Sequence, residues 1–289
     1  MRKGRKSDMR SLPHPTDTQA DVFALCLAAT TDPDLHARLT AITANLATAS
    51  ATYQANAAAA SLNLIPRVQS VGAVTKTEMT GLYEAHLSKT KGVARAVYDR
   101  IRNAAPNNRC PLCGIGNVAH CDHHLPKSRY PDLAILPINL VPACHFCNDK
   151  KRAKYPATAG QQTFHPYFDQ HLLTDAWVCA TLNPGPPPVL VFDTAPPPSW
   201  PAIDRDRVRR HFDACGLAIT FTTNANDELP IVRDRLILQA DRGGAAAVQQ
   251  FLDDERDVHL KRLNSWQYAT YRTLAADGWF VNGGYLSIP

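Results

Sequence analysis

The sequence predicts an α+β protein that is mostly helical, with a small metal-bracketed core between two helical flanks. Apolar residues recur at helical spacing through the first third and the last quarter of the chain. Two Cys-x2-Cys pairs, Cys110/Cys113 and Cys144/Cys147, stand thirty residues apart near its centre. Eight of the 22 prolines fall between Leu182 and Pro201, a composition that stops helices and favours extended backbone. At 289 residues the chain can form one large domain or two modest ones.

The segments follow in order. Residues 1–19 are basic, proline-bearing and without apolar period, which predicts a mobile arm. Residues 20–105 form the N-terminal helical region. Asp32 before Pro33 is an N-cap with proline at the first helical position, and Leu35, Leu39, Ile42 and Leu46 then line one face. The alanine-rich run 55–60 extends the helical bias, and Gly72 and Gly81 mark breaks. Residues 92–105 predict another helix, with Val93, Val97, Tyr98 and Ile101 on its apolar face. The central segment is 106–181, and 182–201 is a proline-rich linker in which Val189–Phe192 could form a short strand. Residues 202–289 form a C-terminal helical region with helices over 205–215 and 244–276. Phe251, Val258, Leu260 and Leu263 are its candidate core positions.

Hydrophobic residues at 45% and charged residues at 20% are ordinary for a globular protein and exclude a disordered or fibrous chain. No apolar run approaches the ~18 residues of a membrane span. The basic start Met1–Lys6 is followed by Pro13, His14, Pro15 and Asp17 rather than a secretory apolar segment, so a cytoplasmic protein is expected. Charge is localised: residues 91–155 carry a net +7 and residues 1–10 a net +4, while the rest carries −6. A local positive field suits a polyanion bound in one place.

Eight cysteines in a cytoplasmic chain argue for metal before disulfides. Two tight Cys-x2-Cys turns supply four thiolates to one tetrahedral zinc, and thiolates suit that ion. A site that borrows His120 or His145 is the nearest rival, and Cys26, Cys121, Cys179 and Cys215 are expected as small buried hydrophobes. Between the pairs stand Asp122, the doubled His123-His124 and Asn139, and directly after Cys147 comes Asn148. Oxygen ligands such as Asp122 and Asn148 suit a hard divalent cation, Mg2+ or Mn2+. An imidazole beside such an ion can take a proton from water near neutral pH. Base, metal and positive surroundings together can cleave a phosphodiester.

The stretch 110–151 resembles the HNH endonucleases, also called ββα-metal or His-Me finger nucleases, in their four-cysteine form. Their pattern runs C-x2-C, D-H-x2-P, N-L and C-x2-C-N-x2-K, and each element is present in this 42-residue stretch. The resemblance implies a β-hairpin carrying Asp122-His123, a loop with Asn139, and a helix carrying Asn148 and Lys151, so that 106–181 becomes a nuclease domain. It implies His123 as general base, Asp122 and Asn148 as ligands of the catalytic ion, and Asn139 as the residue orienting the histidine or its loop. In the alternative register His123 binds metal and His124 activates water; the family's two-residue gap before Pro126 favours His123. Lys127, Arg129, Lys150, Lys151 and Arg152 are candidate phosphate contacts. DNA is the expected substrate, with RNA also open.

With Tyr130-Pro131 and Tyr167-Phe168-Asp169 nearby, the chain is also similar to HNH subunits of bacterial antiphage defence of the Septu type. That similarity implies a nuclease effector working beside an ATPase partner or as a homo-oligomer. No G-x-x-x-x-G-K-[ST] loop is present, so the chain itself does not look like an ATPase. The competing class is a non-catalytic zinc module that binds nucleic acid or protein. That class explains the cysteines and the charge but not the joint presence of Asp122, His123, Asn139 and Asn148.

Overall fold

A computed structural model describes residues 10–289, and the first nine residues lie outside it, including most of the predicted arm's basic cluster. The fold is α+β and 57% helical, with small antiparallel sheets. The chain forms two compact units, one running through Asp169 and the other from Gln170 to Pro289.

The first unit begins with helices α1 (Gln19–Ala28), α2 (Pro33–Ala41) and α3 (Thr43–Ala58). Helix α1 starts in a reciprocal cap, where Asp21 N donates to Thr18 Oγ1 and Thr18 N donates to Asp21 Oδ2 at 2.8 Å. Asp32 caps α2 by accepting from Asp34 N and Leu35 N, as the Asp-Pro pair predicts. The four-residue apolar face is split between two helices, because the backbone leaves helical geometry at Ile42, yet Leu39, Ile42 and Leu46 all reach the core. A two-stranded ribbon, β1 (Ser70–Val71) with β2 (Val74–Thr75), turns at Gly72 with φ +54 and leads into α4 (Lys76–Leu82). A π-turn, Tyr83–Ser88, follows, and then α5 (Arg95–Asn103). Val97, Tyr98 and Ile101 are buried, but Val93 precedes the helix and is exposed.

The centre of this unit is an antiparallel pair, β3 (His120–His123) and β4 (Leu140–Ala143), with Asp122 opposite Val141 and His123 opposite Leu140. Helix α6 (His145–Lys151) follows directly. A pair of four-residue strands and a seven-residue helix cannot bury their own apolar faces. One core accordingly joins Val22, Phe23, Leu39, Leu46, Met79, Leu82, Val97 and Ile101 to Cys121, Ile135 and Leu140. The predicted boundary at 105/106 therefore does not exist: the N-terminal helices complete the core on which the central segment rests.

The part of the predicted arm that is described is also packed rather than mobile. Arg10 is 4% exposed and donates through Nε to Pro111 O at 3.0 Å and through Nη2 to Leu112 O. Leu12 is buried and its N–H bonds Pro166 O at 3.0 Å. The absence of apolar period hid a packed segment whose partners lie more than a hundred residues away.

The second unit opens on the hairpin β5 (Val178–Asn183) and β6 (Val189–Thr194), paired from Val178↔Thr194 to Asn183↔Val189. The stretch expected to be a linker thus supplies one strand and the hairpin turn, and the break between units lies at Asp169/Gln170. Prolines 184 and 186–188 fall in the turn and Pro196–Pro198 after β6, where no ladder N–H is needed. Three helical stretches pack on the hairpin: α7 (Ala202–Ala214), α8 (Leu217–Val258) and α9 (Trp266–Ala276), followed by the short α10 (Gly278–Val281). Helix α8 is two helices joined at Gly243-Gly244, where Gly244 has φ +63. The buried positions of its second half are Val248 and Leu252; Val258, expected in the core, is exposed because a helix carrying 248 and 252 inward turns it to solvent, and Leu260, also expected there, is exposed in the 3-10 turn His259–Arg262 that follows. Two asparagine contacts, one buried and one half-buried, fix the hairpin. Asn264 Oδ1 accepts from Trp177 N at 2.8 Å, and Asn226 exchanges two 2.9 Å bonds with the backbone of Leu190. Among the described residues no helix is long and apolar enough to cross a membrane.

Candidate metal centre and histidine cluster

Cys110, Cys113, Cys144 and Cys147 are all buried, and their sulfur atoms lie within 4.8 Å of one another. Tetrahedral zinc with Zn–S near 2.3 Å demands S···S separations of about 3.8 Å, and Cys113 Sγ stands 3.9 Å from Cys144 Sγ. The donor set and its spacing fit a structural ion such as zinc. Backbone geometry makes the two turns. Gly114 N donates to Cys110 O at 2.7 Å with Gly114 at φ +73, a left-handed position that favours glycine. Gly116 N donates to Cys113 Sγ at 3.3 Å and Cys147 N to Cys144 Sγ at 3.5 Å. A Cβ on Gly116 would meet Cys144 Sγ at 2.7 Å, so only glycine lets this backbone pass the cluster. Arg10 closes the outside of the first turn through the Pro111 and Leu112 carbonyls. His120 and His145 are not among the four clustered ligands.

The four-cysteine cluster joins the start of β3's approach to the start of α6, and therefore sets how α6 lies along β3. Lys151, in the last turn of α6, reaches back to that strand: its Nζ is 2.9 Å from Asp122 Oδ2 and donates to His123 O at 2.6 Å. Lys151 is only 5% exposed. It is an internal clamp between helix and strand and not the outward phosphate contact that its sequence position suggests. Asn148 is one helical turn before Lys151 and shares its face of α6.

His123 is buried, and its Nε2 lies 2.8 Å from Ala134 O. A carbonyl only accepts, so Nε2 carries the proton and Nδ1 keeps the lone pair. Burial pushes the imidazole down to about 3, which keeps it neutral. The Tyr83 ring packs edge-on against it with centroids 4.5 Å apart, and Tyr83 Oη donates to Cys121 O at 3.2 Å. Tyr98 Oη accepts from Cys121 N at 3.1 Å. The N-terminal helices, which carry no motif, thus form the back wall of the histidine; only the aromatic type of Tyr83 and Tyr98 hinted at it.

Asn139, wholly buried, laces the loop between the strands. Its Oδ1 accepts from Leu125 N at 2.8 Å, and its Nδ2 donates to Leu125 O at 3.0 Å and Leu133 O at 3.2 Å. Leu133 adjoins Ala134, whose carbonyl holds His123, so Asn139 orients the loop and, through it, the imidazole. Asn139→Ala removes three buried hydrogen bonds and strands their backbone partners, at a cost of about 3 kcal/mol. The expected result is a melting temperature roughly 6–12 °C lower by calorimetry; a shift under 2 °C would contradict this role.

His124 goes elsewhere. Its ring lies 4.1 Å from that of His165, whose Nε2 is 2.9 Å from Tyr53 Oη, and its backbone N–H bonds Asn139 O at 2.7 Å. Of the remaining predicted cations, Lys127 pairs with Glu84 at 2.6 Å and lies over the Tyr83 ring. Arg129, Lys150 and Arg152 are exposed, with Lys150 over the Phe146 ring and Arg152 Nε donating to Asp149 O at 3.1 Å.

Fold and site together define an α+β protein built round a buried four-cysteine centre that could hold a structural metal ion. The chain is 30% identical over 234 residues to protein ea31 of Escherichia phage lambda, an alignment covering 76% of this chain and 79% of that one. It belongs to the ea31 family. No family model and no solved structure match it.

Proposed function

We propose that this protein is a metal-dependent HNH endonuclease that hydrolyses DNA phosphodiester bonds, with zinc at the four cysteines as a structural ion. The observation that carries this reading is the buried His123 imidazole, pinned through Nε2 by Ala134 O and next in sequence to Asp122 at the end of β3. Asp122 and Asn148 supply oxygen donors, the chemistry a hard divalent ion requires, and would hold Mg2+ or Mn2+. Such an ion supplies positive charge against the negative charge that builds on phosphate. His123 Nδ1 takes a proton as a water oxygen forms its bond to phosphorus; the bond from phosphorus to the 3′ oxygen breaks and that oxygen takes a proton from solvent water, leaving 5′-phosphate and 3′-hydroxyl ends. Lys151 keeps strand and helix in register by holding Asp122 and the His123 carbonyl. His124, occupied in the cluster with His165, supports the register in which His123 is the base.

The direct experiment is incubation of supercoiled plasmid with the purified chain and Mg2+ or Mn2+, beside an Asp122→Ala control. Nicking is expected with either ion, none with EDTA, and a loss of about 10²-fold or more in the variant. Equal nicking by both proteins would sink the assignment.

A nuclease free to cut would endanger its own cell, so the second unit is assigned the restraint: contact with a second copy or with an ATPase of a defence system. Light scattering on the chain, alone and mixed with proteins encoded beside it, should give a mass above one chain. A strict monomer that ignores those proteins and cuts unaided would refute this part.

A further inference from the structure

Beside the cysteines and the Asp122 region stands a further pair of metal-capable side chains. His120 Nε2 stands 2.7 Å from His145 Nδ1, with the rings nearly perpendicular at 84° and their centroids 4.2 Å apart. The two imidazoles come from well-fixed backbone. His120 opens β3 opposite Ala143, and His145 opens α6 directly after the Cys144 cap. His145 is exposed and His120 half-buried, so the pair opens to water on one side.

We propose that His120 and His145 together bind a borderline divalent transition ion (Zn2+, Cu2+ or Ni2+) at a site separate from the four cysteines and from Asp122/Asn148. Imidazole nitrogen selects these ions, whereas Mg2+ takes oxygen donors. Two nitrogens on one such ion, with bonds near 2.0–2.1 Å, stand about 2.9–3.4 Å apart depending on geometry. The observed 2.7 Å therefore needs to open by only a few tenths of an ångström, a movement within reach of side-chain rotation. Water fills the remaining positions from the open side, which makes this an exchangeable site, unlike the buried cysteine cluster. His120 is two residues before Asp122, on the same face of β3 and about 7 Å along it, so an ion there borders the Asp122 carboxylate. The inference stands whether or not the chain is a nuclease.

The test uses full-length protein carrying its tightly held ion, titrated with Zn2+ against a chromophoric chelator, and in parallel with Cu2+ followed by electron paramagnetic resonance. One further Zn2+ equivalent of micromolar affinity is expected, with a two-nitrogen hyperfine pattern for Cu2+. His145→Ala alters an exposed side chain; it should weaken that equivalent tenfold or more and leave one nitrogen, with the melting temperature before titration unchanged. Absence of a further equivalent in the unaltered protein, or its retention at full affinity in His145→Ala, would overturn the proposal.

Discussion

Protein carrying Cys110→Ser together with Cys147→Ser should lose the folded unit that ends at Asp169, not just its metal. The four sulfurs hold the turn before β3 to the start of α6, where the elements themselves are short: β3 and β4 are four residues each and α6 is seven. Structural zinc binds with an apparent free energy of about 10–16 kcal/mol in small sites, as large as the whole stability of a typical domain, about 5–15 kcal/mol. Losing two of four ligands also leaves Cys113 and Cys144 as buried thiols facing serine hydroxyls. Elemental analysis of the unaltered protein after dialysis should find about one zinc per chain. The double variant should bind none and should lose the cooperative transition of this unit in circular dichroism. An unchanged melting temperature would contradict a structural ion at this site.

Much of this centre is legible in the sequence because its parts are local. A Cys-x2-Cys turn is specified by four adjacent residues, and Asp122-His123 and Asn148 take their places from one strand and one short helix. The contacts that complete the site are long-range and leave no periodic trace. Arg10 reaches the carbonyls of Pro111 and Leu112 from a segment that reads as a loose arm. Tyr83 arrives from a π-turn to cover His123, and Ala134 contributes only a backbone carbonyl, which no side-chain motif can announce. Lys151 matches the expected position but is turned inward, because the same lysine carbons that could extend to solvent pack along the strand while the ammonium meets Asp122. The proline-rich stretch misleads for a related reason: proline density marks places where no N–H is needed, which a hairpin turn satisfies as well as a linker does.

Removing the His123 imidazole should be the most damaging single change to catalysis. The residue combines a fixed tautomer, a buried position beside Asp122 and a carbonyl support held in place by Asn139. A general base contributes about 10²–10⁴-fold, so His123→Ala is expected to fall within that range. His124 is the internal control, since it is adjacent in sequence, of the same chemistry, and committed to the cluster with His165. The deciding measurement is the single-turnover rate of plasmid nicking in Mn2+ for the unaltered protein, His123→Ala and His124→Ala, each confirmed folded and zinc-loaded. The account predicts a loss of at least about 10²-fold for His123→Ala and a rate within a few-fold of the unaltered protein for His124→Ala; equal rates for the unaltered protein and His123→Ala, or loss only in His124→Ala, would contradict it.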